Sequence, residues 1–230
     1  MMATLAVAAF ACASPKKDGA PQATVGTEST TVARAPATHT TARPRLLFLG
    51  TSLTAGLGLD PDSAYPAVVQ RLAAKDSFAV EVVNAGLSGE TSAGALRRAD
   101  WLLTQPLALV VIESGANDGL RGLDPDSTAA NLVALIAKVR AAQPRAAIVL
   151  AQMEAPTNLG PAYQRRFHAL YGTVAAKSGV RLMPFLLNGV GGHPDLNQDD
   201  GIHPTAKGAR LVAANVYTSL RPVLDSLAKR

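Results

Sequence analysis

Residues 45–56 read RLLFLGTSLTAG, a continuous apolar run that ends in a turn rich in glycine, serine and threonine. Such a run predicts a strand that is buried on both faces, as in a parallel sheet. Similar apolar runs then alternate with stretches of helical periodicity. We predict strands at 45–50, 78–84, 107–113, 146–153 and 179–183, and helices at 65–75, 91–105, 125–142, 161–177 and 204–227.

The alternation of strand and helix, repeated five times, indicates the fold class. Right-handed crossovers lay helices over both faces of a sheet whose strands run parallel. We therefore expect an α/β protein: a three-layer α/β/α sandwich with a five-stranded parallel sheet of the flavodoxin-like kind. Sites in such sheets lie at the carboxyl ends of the strands, so the loops that follow the strands are the first candidates.

The first 44 residues differ in composition from the rest of the chain. Residues 1–12 form a short apolar run that ends in small residues and Cys12, typical of a secretory signal, although no Lys or Arg precedes it. Residues 13–44 are mostly Ala, Thr, Pro and Ser, which bury too little apolar surface to fold. We expect a signal-like segment at 1–12, a disordered tether at 13–44 and one folded domain at 45–230. The alternative is a cytoplasmic protein with a disordered N-terminus.

These segments predict export, with the domain in the periplasm or anchored by a lipid on Cys12 to the membrane that faces the periplasm. Cys12 is the only cysteine, so the folded domain has no disulfide and no thiol nucleophile. The chain has 22 Lys and Arg against 17 Asp and Glu; residues 1–44 hold four and two of these, which leaves a net charge of +3 for the domain. Its basic residues are scattered, so we predict no nucleic-acid partner.

Five residues in the loops at this sheet edge suit acyl-transfer chemistry. Ser52 follows the first strand, and a serine hydroxyl becomes a good nucleophile once a base removes its proton. The spacing Asp200-x-x-His203 lets a carboxylate hold the imidazole in the tautomer that accepts this proton. The N–H of Gly89 and the amide of Asn117 are suited to donate to an oxyanion. Taken singly, each residue is also explained as a helix cap, an anion-binding loop or a turn residue.

Together these segments resemble the SGNH (GDSL-type) hydrolases, over residues 45–227. Residues 117–122 (NDGLRG) and 198–204 (QDDGIHP) are most similar to the bacterial arylesterases and the thioesterase/lysophospholipase group of that family. The chain departs from the family at Thr51, where the family usually has Asp. The missing Gly-x-Ser-x-Gly motif argues against the α/β-hydrolase fold.

The resemblance implies a role for each of the five residues. A catalytic triad is formed by Ser52, Asp200 and His203. An oxyanion hole is formed by the backbone N–H of Ser52, Gly89 and Asn117. The resemblance also implies that a loop at about residues 154–161 lines the acyl pocket. Asp118, Asp199, His168 and His193 are expected to be structural.

The expected function is that of a serine esterase that forms an acyl-enzyme on Ser52 and acts on aryl esters, lysophospholipids or acyl thioesters. One alternative is a carbohydrate deacetylase with the same triad, although 4% aromatic residues leave few platforms for sugar rings. A second is a non-catalytic module that binds an anion or nucleotide with the loop at 50–56, which would not need Asp200 and His203. No metal-binding pattern occurs in the sequence, so we predict no metal and no cofactor. We also expect a small-molecule ester as the partner and a monomeric protein.

Overall fold

The computed structural model describes residues 43–229. The predictions for the signal-like segment, for Cys12 and for most of the tether concern residues outside this range. The strands are β1 (Arg45–Gly50), β2 (Glu81–Gly86), β3 (Leu109–Ile112), β4 (Ala147–Ala151) and β5 (Arg181–Met183). The helices are α1 (Ser52–Ala55), α2 (Tyr65–Lys75), α3 (Ser92–Leu102), α4 (Ala116–Leu120), α5 (Pro125–Ala142), α6 (Pro161–Ser178) and α7 (Ala206–Ala228).

The five strands form one parallel sheet in the order β2-β1-β3-β4-β5. The helices form two groups: α2 packs on α7, and α5 packs between α3 and α6. These groups cover the two faces of the sheet. The predicted three-layer α/β/α sandwich with flavodoxin-like strand order is therefore confirmed. Within residues 43–229, none of the helices combines the length and the apolar character that crossing a bilayer requires.

The core lies on the three central strands. Leu46 to Leu49 of β1 and all four residues of β3 are at most 1% exposed, as are the last three of β4. The edge strand β2 is only partly buried, because it has a neighbour on one side only. This contrast explains why the central strands read as unbroken apolar runs, since both of their faces are covered by helices.

Differences from the predicted elements occur mainly at their ends. The second strand was predicted at 78–84, but β2 begins at Glu81. The Val80 N–H donates to the Phe78 carbonyl within the preceding loop, and pairing with β1 starts only at Glu81. The strand extends to Gly86 because its pairing with β1 continues to Gly50. The last helix begins at Ala206 instead of Pro204, since Thr205 caps it by accepting a hydrogen bond from the Gly208 N–H. The short helices α1 and α4 were not predicted.

Gly86 allows the turn after β1 to lie against the end of β2. A Cβ atom on Gly86 would lie 2.6 Å from the Cα of Ala55 and 2.8 Å from the carbonyl oxygen of Thr51. Both are backbone atoms, one in α1 and one in the residue directly before it, so they cannot move aside without displacing the helix. A side chain of any size at position 86 therefore conflicts with the observed packing of α1.

We expect Gly86→Ala to lower the free energy of unfolding by about 1–3 kcal/mol, because it overpacks this contact. Gly172→Ala is the matched control. Gly172 is exposed in α6 and, within the described part of the chain, no atom other than its immediate neighbours and its own helix lies within 4 Å of a Cβ there. That substitution should raise stability by about 0.5–1 kcal/mol through helix propensity. Urea denaturation measures both changes, and a stabilising Gly86→Ala would contradict the close approach.

Candidate active site

Ser52 is the first residue of α1, directly after the carboxyl end of β1. The preceding residue, Thr51, has extended backbone angles, and α1 ends after one turn at Gly56, which is left-handed (φ 75°). A turn this tight leaves the N–H groups at its start outside the helix hydrogen-bond pattern. Ser52 is half-buried, so its hydroxyl and its backbone N–H both lie near the surface at the sheet edge.

The structure brings Ser52, His203 and Asp200 together in one chain of hydrogen bonds. The Oγ of Ser52 lies 2.8 Å from Nε2 of His203, and Nδ1 of His203 lies 2.6 Å from Oδ2 of Asp200. Because a carboxylate only accepts, Nδ1 carries the proton and donates to Asp200. Nε2 is then the acceptor for the serine hydroxyl, which is the arrangement that a general base requires.

The Asp200 carboxyl is held as an anion by its own loop. Its Oδ1 accepts hydrogen bonds from the backbone N–H groups of Ile202 (2.9 Å) and His203 (3.0 Å). The N–H and the ring of His203, followed by the N–H of Ile202, lower the pKa of Asp200 to about 2. The side chain of Asp200 is 45% exposed, whereas that of His203 is 14% exposed. Asp200 is therefore ionised at any pH near neutrality.

Gln198 connects this loop to the segment after α1, a role that no pattern in the sequence indicates. Its amide nitrogen donates to the carbonyl oxygens of Leu57 (2.7 Å) and Pro204 (2.9 Å). Its backbone N–H donates to the carbonyl of His203 at 2.7 Å. Gln198 thus links the turn that carries Ser52 to the loop that carries His203.

Gly89 and Asn117 lie in two loops that contact each other. Gly89 follows β2 in the left-handed region (φ 77°), which favours glycine. The amide nitrogen of Asn117 donates to the carbonyl of Glu90 at 3.0 Å, which uses one of its two N–H groups. Arg121 donates to the carbonyl of Gly89 at 2.8 Å. The loop after β3 therefore orients the loop after β2.

Asp118 also connects these two loops, since it lies after β3 and bonds to Ser92 after β2. It is 2% exposed and accepts from the backbone N–H of Ser92 at 2.8 Å and from the Ser92 hydroxyl at 2.5 Å. Thr128 adds a longer bond of 3.3 Å from α5. Asp118 thus has the structural role expected for it, joining α4 to the start of α3. Asp199 is exposed.

A partly buried ion pair links helix α3 to the loop after β2, and no pattern in the sequence indicates it. Arg98 donates to both carboxylate oxygens of Glu90, at 2.6 and 2.7 Å. The same guanidinium donates to the carbonyls of Ala85 (2.8 Å) and Gly50 (3.2 Å). Because the Glu90 side chain is only 4% exposed, removing Arg98 would leave a buried, unpaired carboxylate.

Glu113 is a third buried carboxyl, located directly after β3 and 0% exposed. It accepts from the Thr51 N–H (2.7 Å), the Thr51 hydroxyl (2.9 Å) and the Thr54 hydroxyl (2.9 Å). Burial raises the pKa of Glu113 to about 7, and the hydrogen bonds from Thr51 and Thr54 oppose that rise. The sequence signal was an acidic residue at the end of the apolar run 107–113, which we interpreted as part of the strand.

The remaining predicted features lie around this edge. His168 is exposed in α6, where its Nδ1 lies 2.7 Å from Glu154, and His193 is exposed as well. In the predicted acyl-pocket loop, the side chain of Leu159 would lie 3.4 Å from a Cβ on Gly122, so this loop borders the NDGLRG segment. Within residues 43–229, no group of three or more His, Cys, Asp or Glu side chains is arranged to hold a metal ion.

A small apolar cavity lies beside Ser52 and His203. It is lined mainly by aliphatic side chains from α1, from the segment before α7 and from α7 itself, including Leu53, Leu186 and Val212. The predicted loop at 154–161 does not contribute to its lining. The surroundings of the serine and the imidazole are therefore apolar on this side.

Several known proteins are similar to this chain in sequence. The GDSL-like lipase/acylhydrolase family matches residues 48–211. Esterase TesA of Pseudomonas aeruginosa is 42% identical over 188 residues, which cover 81% of this chain and 92% of that protein. Thioesterase 1/protease 1/lysophospholipase L1 of Escherichia coli K12 is 37% identical over 78% of this chain and 85% of its own length. An arylesterase of Vibrio mimicus is 35% identical over 78% of this chain and 89% of its own length.

A solved structure shows the same fold. The crystal structure of TesA superposes with a TM-score of 0.74 at 42% identity, covering 78% of this chain and 99% of that one. The family matches well over half of the chain, and three relatives exceed 30% identity over more than two thirds of it. The chain therefore belongs to the GDSL-like lipase/acylhydrolase family of ester hydrolases.

Proposed function

We propose that this protein hydrolyses carboxylic esters through an acyl-enzyme on Ser52, with His203 as general base and Asp200 as the group that orients it. The single observation that carries the proposal is the hydrogen-bonded chain from Ser52 Oγ to His203 Nε2 (2.8 Å) and from His203 Nδ1 to Asp200 (2.6 Å). A module that only binds an anion would not need these hydrogen bonds among a serine, an imidazole and a carboxylate, so they favour catalysis over simple binding.

The proposed reaction has two halves. In the first, Ser52 Oγ attacks the ester carbonyl carbon while its proton passes to Nε2 of His203, and ionised Asp200 stabilises the imidazolium. The tetrahedral intermediate collapses, His203 returns the proton to the leaving oxygen or sulfur, and the acyl-enzyme remains. In the second half, water attacks the acyl carbon with the same proton transfers and releases the acid.

The negative charge that forms on the former carbonyl oxygen requires donors that are already in place. We assign this task to the backbone N–H groups of Ser52 and Gly89 and to the amide of Asn117. The Asn117 amide is oriented by its bond to the Glu90 carbonyl, and the carbonyl of Gly89 is held by Arg121. Preorganised donors stabilise the intermediate without reorganising during the reaction.

For the substrate we propose aryl esters, lysophospholipids and acyl thioesters. Support comes from the relatives, which are named an esterase, an arylesterase and a thioesterase/lysophospholipase. A panel of p-nitrophenyl esters, acyl thioesters, lysophospholipids and acetylated sugars, assayed on one preparation, ranks these classes directly.

We also propose that the protein is exported and acts as a monomer in the periplasm, or anchored through a lipid on Cys12 to the membrane that faces it. This proposal rests on the composition of residues 1–12, a short apolar run that ends in small residues and Cys12, and on the polar composition of 13–44. A single acyl chain binds a membrane only weakly, so stable anchoring of this kind needs a second acyl chain or another membrane-binding signal.

Labelling and substitution of Ser52 test its role as the nucleophile. A fluorophosphonate probe should label Ser52, and Ser52→Ala should abolish labelling and lower kcat/KM by about 10³-fold or more with little change in Tm. Ser219→Ala, which removes a hydroxyl bonded to the Asn215 carbonyl within α7, is the control and should behave as wild type. Peptide mass spectrometry that finds the probe on another serine would refute the assignment.

Asn117 tests the oxyanion hole. Because the charge on the oxygen develops only in the transition state, losing one donor should lower kcat more than it raises KM. We expect Asn117→Ala to reduce kcat by about 10²- to 10³-fold and to keep KM within several-fold. Steady-state kinetics and a thermal melt distinguish an oxyanion donor from a residue that only stabilises the turn. A less stable variant with normal turnover per folded molecule would show that Asn117 is only a turn residue.

Cys12 tests the anchor. If a lipid is attached to it, Cys12→Ala should move the protein from the membrane fraction to the soluble fraction of the same cells. The control is the Ser52→Ala variant, which keeps Cys12 and should fractionate like wild type. Fractionation and the mass of the N-terminal peptide are the measurements. A wild-type protein whose N-terminal peptide carries no acyl mass would refute the lipid anchor.

A further inference from the structure

Glu113 is a buried acidic residue that takes no part in the proposed mechanism. It is fully buried, and it forms an ion pair with none of the described basic side chains. Burying a carboxyl without a counter-charge is costly unless hydrogen-bond donors compensate it. The donors that surround Glu113 therefore indicate what it holds in place.

All of these donors belong to α1 or to the residue before it. The Thr51 N–H, the Thr51 hydroxyl and the Thr54 hydroxyl point at the carboxylate, at 2.7, 2.9 and 2.9 Å. The Thr54 hydroxyl gives its proton to Glu113, so its 2.8 Å contact with the Tyr65 hydroxyl is a bond that Tyr65 donates. Burial and the nearby Glu113 raise the pKa of Tyr65, so Tyr65 keeps this proton.

Thr51 occupies the N-cap position of α1 without capping it. A threonine there usually accepts a hydrogen bond from an N–H in the first turn, but its side chain makes no such bond here. Its hydroxyl donates to Glu113 instead. A four-residue helix without a side-chain cap has little stability of its own, so this turn is held in place from the sheet below.

Gly50 makes room for this arrangement. A Cβ atom on Gly50 would lie 2.7 Å from the Oε2 atom of Glu113 and would also collide with the Thr54 hydroxyl. Glycine at the end of β1 therefore lets the carboxylate reach the backbone N–H of Thr51. That N–H belongs to the residue directly before the nucleophile.

We propose that Glu113 is a positioning residue for Ser52: acting through Thr51, its carboxylate fixes the angle at which the Ser52 hydroxyl and backbone N–H face the substrate. The proposal rests on Ser52 being the nucleophile. A shift of about 1 Å in a reacting group can cost about 10²-fold in rate, so a rigid support below a short turn has a kinetic effect. The Thr51 hydroxyl supports this arrangement because it donates a hydrogen bond to the Glu113 carboxylate.

The test compares Glu113→Gln, Thr51→Val and Thr51→Ser at about pH 8.5, where wild-type Glu113, with its pKa of about 7, is mostly ionised. Glu113→Gln exchanges one acceptor oxygen for a donor that faces donors. Thr51→Val removes the hydroxyl and keeps the shape, and Thr51→Ser restores the hydroxyl. Val110→Ala, on the fully buried strand β3, is the control for loss of stability alone.

We expect Glu113→Gln to lower kcat by about 10- to 100-fold and Thr51→Val by about tenfold, with KM within about threefold of wild type. Phosphonate labelling of Ser52 should slow in the same proportion, and Thr51→Ser should return kcat to within about threefold. Val110→Ala should lower Tm and leave kcat per active site unchanged.

A lower Tm with unchanged kcat per titrated active site in Glu113→Gln and Thr51→Val would overturn the proposal and make Glu113 purely structural. If Glu113→Gln does not fold, the Thr51→Val and Thr51→Ser pair decides alone, since these variants keep the carboxylate. If the wild-type protein is labelled at Ser52 and the variants keep the wild-type kcat, only the positioning role of Glu113 is refuted. A wild-type protein that is not labelled at Ser52 overturns the proposed function as well.

Discussion

The hydrogen bond between Ser52 and His203 joins two segments that are 151 positions apart in the chain. A bond of this kind works for catalysis only if both partners are held to within a fraction of an ångström, because the proton must pass between them. Neither partner lies on a long element: Ser52 begins a four-residue helix, and His203 lies in a loop before α7. The precision of the site therefore comes from the polar contacts that fasten the Ser52 turn to the end of β3 and the His203 loop to the segment after α1.

Three buried carboxyls support the segments that carry Ser52, Gly89 and Asn117. Glu90, Asp118 and Glu113 are each less than 9% exposed. Glu90 directly follows Gly89, Asp118 directly follows Asn117, and Glu113 accepts from the residue directly before Ser52. Glu90 is compensated by Arg98, Asp118 by Ser92 and Thr128, and Glu113 by Thr51 and Thr54. Burying such groups costs free energy that apolar side chains would not cost. What they provide is direction, because a hydrogen bond fixes an angle that an apolar contact leaves open.

The fold and the contact of Ser52 with His203 and Asp200 could be predicted because their signals are local. The apolar runs at 45–50 and 107–113 and the spacing Asp200-x-x-His203 are visible within a few residues. The supports could not be predicted in the same way. Glu113 contacts a residue 62 positions away, and Gln198 contacts one 141 positions away, so their partners appear only once the strand order is known. The helix α1 was missed because four residues show no periodicity.

The two halves of the site are supported differently, and this difference follows from where they lie in the fold. The half that carries Ser52, Gly89 and Asn117 follows three neighbouring strands, so buried carboxyls at the sheet edge can hold it. The Asp200–His203 half precedes α7 outside the sheet, and its carboxylate is 45% exposed. Water competes there for every hydrogen bond, which weakens a lone ion pair. The loop compensates by placing both partners three residues apart and by giving Asp200 two backbone N–H donors. Orientation of the base is therefore a local property of this loop, while its distance from Ser52 depends on the Gln198 bridge.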